Sequence, residues 1–242
     1  MGRAELHIHS RYSDGSSTPE AIVEHAQKLG LDVIAITDHE NVRGAIIARE
    51  YAKRKGYHVE VIIGTEATTL SGHLIGLFLK KPLHIFRGLS ATVDEIHAQG
   101  GIAVAPHPMS RMLVGISKKR MQSLVDSSKI DAVEVFNSVP TAKSANLATA
   151  QMNKLWNLPV IAGSDAHNIA AIGYGITEFP GTTAEDLRKA ILAGKTVPKG
   201  SYWKVNKAIA FTGIASTVKA PFGGMAKLRY WAYENILGKE RV

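Results

Sequence analysis

Short aliphatic or β-branched runs alternate with longer helical patterns along most of this chain, and that alternation restricts the fold more than any other feature. Runs at residues 4–9, 33–37, 59–64, 73–78, 102–105, 132–136 and 160–162 read as strands. Helical patterns occupy 19–29, 45–55, 92–99, 141–156 and 183–193. Their ends carry start and stop chemistry: Ser17 and Thr18 precede Pro19, Gly30 and Gly56 follow the first two helices, and Gly194 follows the last. The T-x-x-E spacing of Thr92 and Glu95 predicts a capping box opening the third helix. Such a rhythm requires a parallel sheet with crossover helices. About seven βα units in roughly 200 residues fit a TIM-like barrel better than two separate domains, an open doubly wound sheet being the other arrangement the pattern allows.

Composition narrows the chemistry. With 45% hydrophobic and 21% charged residues, the 242-residue chain is ordinary globular material, not a disordered or fibrous one. It has no cysteine, so disulfides, thiolate metal sites and cysteine nucleophiles are excluded, and any metal must sit on nitrogen and oxygen. The apolar stretches at 74–79 and 208–218 are too short to span a bilayer, and the N-terminal MGRAELHIHS has no apolar signal core, so a cytoplasmic location is expected.

Six of the ten histidines stand in short motifs at the ends of predicted strands. In HIHSRYSDG, His7 and His9 are two apart on a strand and share a face, with Asp14 following on a turn. ITDHE runs an apolar strand into Asp38 and His39; VIIGTE places Glu66 just past another, and His73 begins the next. His107 sits between two prolines in APHP, and Asp165 and His167 follow a strand in GSDAH. In a closed parallel barrel all these strand ends meet at one mouth. Six imidazoles and three or four carboxylates brought together need divalent cations, because the acids repel one another and desolvated imidazoles lack acceptors. An imidazole and carboxylate set suits Mn, Zn or Fe.

In order and spacing, HIHSRYSDG, ITDHE, the Glu66 and His73 pair, the His107-Pro108 motif and SDAH resemble the PHP (polymerase and histidinol phosphatase) domain family over residues 5–167. The resemblance implies a distorted TIM-like (β/α)7 barrel, a trinuclear metal centre and metal-dependent phosphoester hydrolysis. It implies one cation on His7, His9, Glu66 and Asp165, a second on a bridging Glu66 with His73 and His107, and a third on Asp14, His39 and His167. Glu66 and Asp165 then hold the attacking hydroxide, and Asp38 becomes an acceptor for a ligand imidazole N–H. None of the nine ligand positions departs from the pattern, which argues against an inactive copy.

Arg11 and Arg111 are the candidates for gripping phosphate oxygens, since one lies between the first ligands and Asp14 and the other follows PHPMS. Asn137, after DAVEVF, is either a substrate contact or a turn residue. His25, His58, His84 and His97 are expected outside the site. The expected reaction is hydrolysis of a small phosphorylated molecule such as a nucleotide, with an exonuclease or oligonucleotide hydrolase as the alternative. Residues 1–198 form the catalytic domain in this reading, and 199–242 a basic, partly helical extension. That extension holds eight Lys or Arg against two acids, has a helical pattern at 225–237, and includes Trp203, Tyr230, Trp231 and Tyr233. It is expected to pack on the barrel; base stacking, peripheral membrane contact or docking of a protein are the other readings.

Overall fold

The computed structural model describes residues 1–203 of the chain. The helix expected at 225–237 and the packing or partners of the basic extension lie outside them. The described chain runs β1 (Gly2–Ile8), α1 (Pro19–Lys28), β2 (Val33–Ile36), α2 (Arg43–Lys55), β3 (Glu60–Thr69), β4 (Gly72–Leu77) and α3 (Leu89–Ala98). It continues through β5 (Ile102–Ala105), α4 (Lys118–Asp126), β6 (Ala132–Asn137), α5 (Lys143–Trp156), β7 (Val160–Gly163), β8 (Gly175–Phe179), α6 (Ala184–Leu192) and β9 (Val197–Gly200). The nine strands form one sheet in the order β7-β6-β5-β4-β3-β2-β1-β8-β9.

That sheet curls into a distorted TIM-like barrel. It closes where the chain just past β7 meets β1: the His9 N–H donates to the Ala166 carbonyl (2.9 Å) and the Ala166 N–H to that of His7 (3.2 Å). Lower down, the Thr177 hydroxyl of β8 accepts from the Ala162 N–H (2.9 Å) and donates to the Ala162 carbonyl (3.0 Å), stitching β7 to β8.

Two buried layers follow from strand alternation. The interior takes Ala4, Leu6, Val33, Ala35, Ile62, Ile75, Leu77, Ile102, Val104, Ala132, Ile161 and Phe179, and α6 closes it from below with Leu187, Ala190 and Ile191. The outer layer joins Ile8, Ile34, Ile36 and Ile63 to Ile22 and Val23 of α1, Ala45 and Ala48 of α2 and Ile96 of α3.

The structure corrects four expectations. The sheet is not wholly parallel: β4 is antiparallel to both β3 and β5, and β8 and β9 are antiparallel as well. Only Leu70 and Ser71 separate β3 from β4, too few for a crossover, so the chain turns back as a hairpin at Gly72, whose φ of 122° favours glycine. Because β4 extends the pairing, β3 runs to Thr69 and Glu66 lies within the strand instead of past it. The capping box is not at Thr92, which sits inside α3 and donates its hydroxyl to the carbonyl of Gly88, the N-cap. A true box opens α6, where Thr183 and Asp186 cap each other. Finally, α4, β8 and β9 were not anticipated. KKRMQSLVD buries only Met121 and Leu124, and VPKG is a largely exposed edge, so neither shows a strong apolar period. β9 ends at Gly200, and Trp203 just beyond it is buried in the outer layer.

Candidate metal centre

Which side of the barrel β1 offers to its interior depends on one extra residue. Glu5 pairs with Ile34 and Ile8 with Ile36, so two residues of β1, Leu6 and His7, stand opposite the single Ala35. This bulge puts both on the inner side, whereas unbroken alternation would turn His7 outward with Glu5. His9 then points inward too, its ring centroid 5.2 Å from that of His7. β6 repeats the device. Glu134 pairs with Ile161 and Phe136 with Ala162, and the extra residue lets Glu134 and Asn137, three apart, reach the same interior.

All nine residues anticipated as ligands converge above the apolar interior. His7 Nε2 lies 3.3 Å from Glu66 Oε2 and 3.4 Å from Asp165 Oδ1, and His9 Nε2 lies 3.3 Å from each of the same two oxygens. A tetrahedron with arms of about 2.0–2.1 Å, the usual length for imidazole and carboxylate bonds to zinc, has edges of about 3.3–3.4 Å. The four atoms therefore stand at cation-cage spacing. Glu66 Oε1 meets His73 Nδ1 and His107 Nε2, each at 2.9 Å, while His39 Nε2 lies 3.6 Å from Oε2. Five imidazoles thus converge on one carboxylate. Around Asp14, His167 Nε2 is 3.3 Å away, His9 Nδ1 3.6 Å and His39 Nε2 3.7 Å. His9 borders two of the three groups and His39 likewise, so the groups share walls more than a simple partition of ligands implies.

Hydrogen bonding within the protein does not satisfy this cluster. Both ring nitrogens of His9, and Nδ1 of His39 and His107, are buried without a hydrogen-bond partner. Burial alone would push the His9 imidazole down, but Asp165, Glu66 and Asp14 outweigh it and raise the pKa to about 10. His7 is likewise held well above its ordinary value against burial, by Asp165, Glu134 and Glu66, and His167 is raised against burial and the charge of His9 by Asp14 and Asp165. Conversely, burial favours protonated acids, yet the surrounding imidazoles keep Glu66, Asp14 and Asp165 well below the usual carboxylate range. The arrangement concentrates negative charge that a cation can take over once the imidazoles lose their protons. His107 and Asp165 also have positive φ, 29° and 54°, a local cost borne at the site.

Other anticipated residues fall elsewhere. Asp38 accepts no imidazole N–H; its oxygens take the Ser10 N–H and hydroxyl (both 2.6 Å) and the Ser13 hydroxyl (2.9 Å), bracing the loop that carries Asp14. Arg11 and Arg111 are exposed, and neither forms an ion pair with a described residue. Arg11 instead lies over the Tyr12 ring, 6.0 Å from its centroid, with Arg43 at 5.6 Å. His58, His84 and His97 bond Gln27, Glu95 and Asp131, away from the cluster, and His25 stays on α1. One buried acid beside the cluster escaped sequence reasoning. Glu134 contacts His7, His107 and Asn137, and the available signal was a charged residue inside the apolar run AVEVF.

A nearly closed barrel with a nest of imidazoles and carboxylates at one mouth has the donor set of a metal-binding protein. Residues 5–193 match the family model described as "PHP domain", and the chain belongs to that family. It is 38% identical over 149 residues to the uncharacterized protein MJ1587 of Methanocaldococcus jannaschii, covering 56% of this chain and 82% of that one. It is 33% identical over 101 residues to the phosphoribosyl 1,2-cyclic phosphate 1,2-diphosphodiesterase of Eggerthella lenta, covering 39% and 38%. Among solved structures, a two-domain protein from Bacteroides vulgatus containing a predicted PHP-like metal-dependent phosphoesterase superposes with a TM-score of 0.68. The identity is 22%, with 82% of this chain and 64% of that one covered. Among the described residues no helix is long and apolar enough to cross a membrane.

Proposed function

We propose that the protein hydrolyses a phosphate ester of a small molecule, such as a nucleotide, at a centre of three divalent cations. The observation that carries this reading is Glu66, whose two oxygens face different sets of imidazoles, five in all. His7, His9, Glu66 and Asp165 hold one cation in this proposal; Glu66, His73 and His107 the second; and Asp14, His39 and His167 the third. Bound divalent cations would supply Lewis acidity and ionise water near neutral pH.

The chain's own contribution is positioning. Glu66 and Asp165 are the acids shared by His7 and His9, so they orient the attacking water. His7, His9 and Glu66 are buried, whereas Asp14, His39, His73 and His167 are 12–16% exposed at their side chains, so substrate enters over that second group. Arg11, three residues before Asp14, grips phosphate oxygens at this entrance in the proposal, and Arg111, in the loop after His107, is the second candidate. The charge of residues 1–198 is only slightly positive, which favours a small substrate over a long nucleic acid. The likeness to a cyclic-phosphate diesterase adds cyclic diesters to the substrates worth testing.

The test is a phosphate-release screen of the metal-reconstituted protein against nucleotides, cyclic phosphodiesters, histidinol phosphate and short oligonucleotides, using a coupled phosphatase for diester products. Metals are counted by elemental analysis. Turnover of a small ester with three ions per chain is expected. Turnover of oligonucleotides alone would overturn the substrate reading, and a reconstituted protein without metal would overturn the centre.

A further inference from the structure

The buried acid Glu134 belongs to none of the three proposed cation groups, yet it is joined to the centre on every side. Its Oε1 accepts from His7 Nδ1–H at 3.0 Å; its Oε2 accepts from the His107 backbone N–H at 2.7 Å and from Asn137 Nδ2 at 3.0 Å. We propose that Glu134 is a positioning residue of the metal centre, fixing His7 with its proton on Nδ1 and its Nε2 turned into the cage, and anchoring the strained His107 backbone. This rests on the reading of His7 and His107 as ligands.

Three features make the arrangement specific. First, both oxygens of Glu134 already accept hydrogen bonds, three in all, and neither falls in a group of atoms at cation-cage spacing, so the side chain serves as an acceptor. A carboxylate on Nδ1 leaves Nε2 as the free lone pair of His7, and Nε2 is the atom facing Glu66 and Asp165. Second, the orientation of Asn137 is determined by its neighbours. Its Oδ1 accepts the Val139 N–H (3.0 Å), so its Nδ2 must face the acids, reaching Asp165 Oδ2 at 3.5 Å as well as Glu134. Asn146 of α5 in turn holds the Asn137 backbone, accepting its N–H at 3.1 Å and donating to its carbonyl at 2.8 Å. Third, the neighbouring strand leaves room only for glycine. A Cβ on Gly163 would come within 2.4 Å of Glu134 Oε1 and 2.5 Å of His7 Cβ.

The isosteric variant Glu134→Gln separates charge and acceptor geometry from packing. A glutamine offers one carbonyl oxygen and one amide nitrogen; whichever way it turns, a donor of His7 or His107 faces its NH2. Titration with Co²⁺ or Mn²⁺ is expected to show affinity lowered by about 10–100-fold, with the full number of ions recovered at saturating metal. Nitrogen-15 spectra of the Zn²⁺-loaded wild type are expected to show a deshielded, slowly exchanging Nδ1–H on His7, which the variant loses. A purely structural role would lower the melting temperature and leave affinity and tautomer untouched, so that result overturns the proposal. If the variant does not fold, the wild-type spectrum decides: His7 carrying its proton on Nε2 overturns it. A wild-type protein that binds no metal brings down the underlying centre, a result distinct from a variant that binds as well as wild type.

Discussion

The two ends of the barrel are built by the same strands and obey opposite rules. At the lower end β1 contributes Leu6 to an interior of aliphatic side chains sealed by α6; one residue later it contributes His7 to a layer of imidazoles and acids. Removing water is itself the driving force below, where burying a Leu side chain is worth roughly 1.5–3 kcal/mol. Above, desolvation opposes every charge, and the layer persists because six imidazoles and the acids offset one another within 4 Å. The lower end therefore supports the fold, and the upper end is supported by it. This is how a stable scaffold can carry a poorly satisfied site.

The largest effect should come from breaking the upper layer alone. Glu66→Ala and His39→Ala are expected to abolish metal-dependent hydrolysis, and Glu66→Ala also to lower the ion count by elemental analysis; wild-type turnover in either would contradict the ligand set. The mirror experiment is Leu77→Ala in the lower interior. It should cost about 2–5 kcal/mol in denaturant unfolding and leave the metal content of the folded protein intact. Metal lost in step with stability would show that the two ends are not separable.

A third test uses pH. In metal-free protein His9 has a folded pKa of about 10 against 6.5 unfolded, so its protonated form adds stability that is complete below 6.5 and disappears as pH rises through 10. Glu5, buried beneath the Ser164 and Gly173 amides and raised to about 8, adds a loss of the same sign between 4.5 and 8. Melting temperature of the metal-free form should fall across pH 6.5–10. Saturating metal should oppose that fall, because cations replace the imidazole protons. Parallel curves with and without metal would refute the linkage.

Smaller effects lie at the rims. Arg11→Ala is expected to raise KM about tenfold, or 1.4 kcal/mol, with kcat nearly kept; an unchanged KM would remove Arg11 from phosphate binding. At the opposite rim Thr183→Ala takes away the α6 cap and should cost about 1 kcal/mol of stability without touching turnover. Altered kinetics there would mean that α6 communicates with the mouth.

Much of this was legible in the residues because strand and ligand signals are local. His7 and His9 advertise themselves two apart, His107 sits between prolines, and Asp165 and His167 follow the apolar strand β7. What stayed hidden depends on partners far along the chain. Glu134 reads as one acid in AVEVF until His7, 127 positions earlier, is found against it. Asp38 reads as a fit acceptor for an imidazole, but Ser10 and Ser13 occupy it.

By itself, then, the sequence determined the donor chemistry, its order and the strand ends that carry it, because these follow from side-chain type and short-range period. Only the tertiary structure decided which way those strands face. The bulges in β1 and β6 exist as a mismatch in count against β2 and β7, and the reversal of β4 as pairing with β3 and β5. Register is a property of two strands together, and no single run of residues contains it.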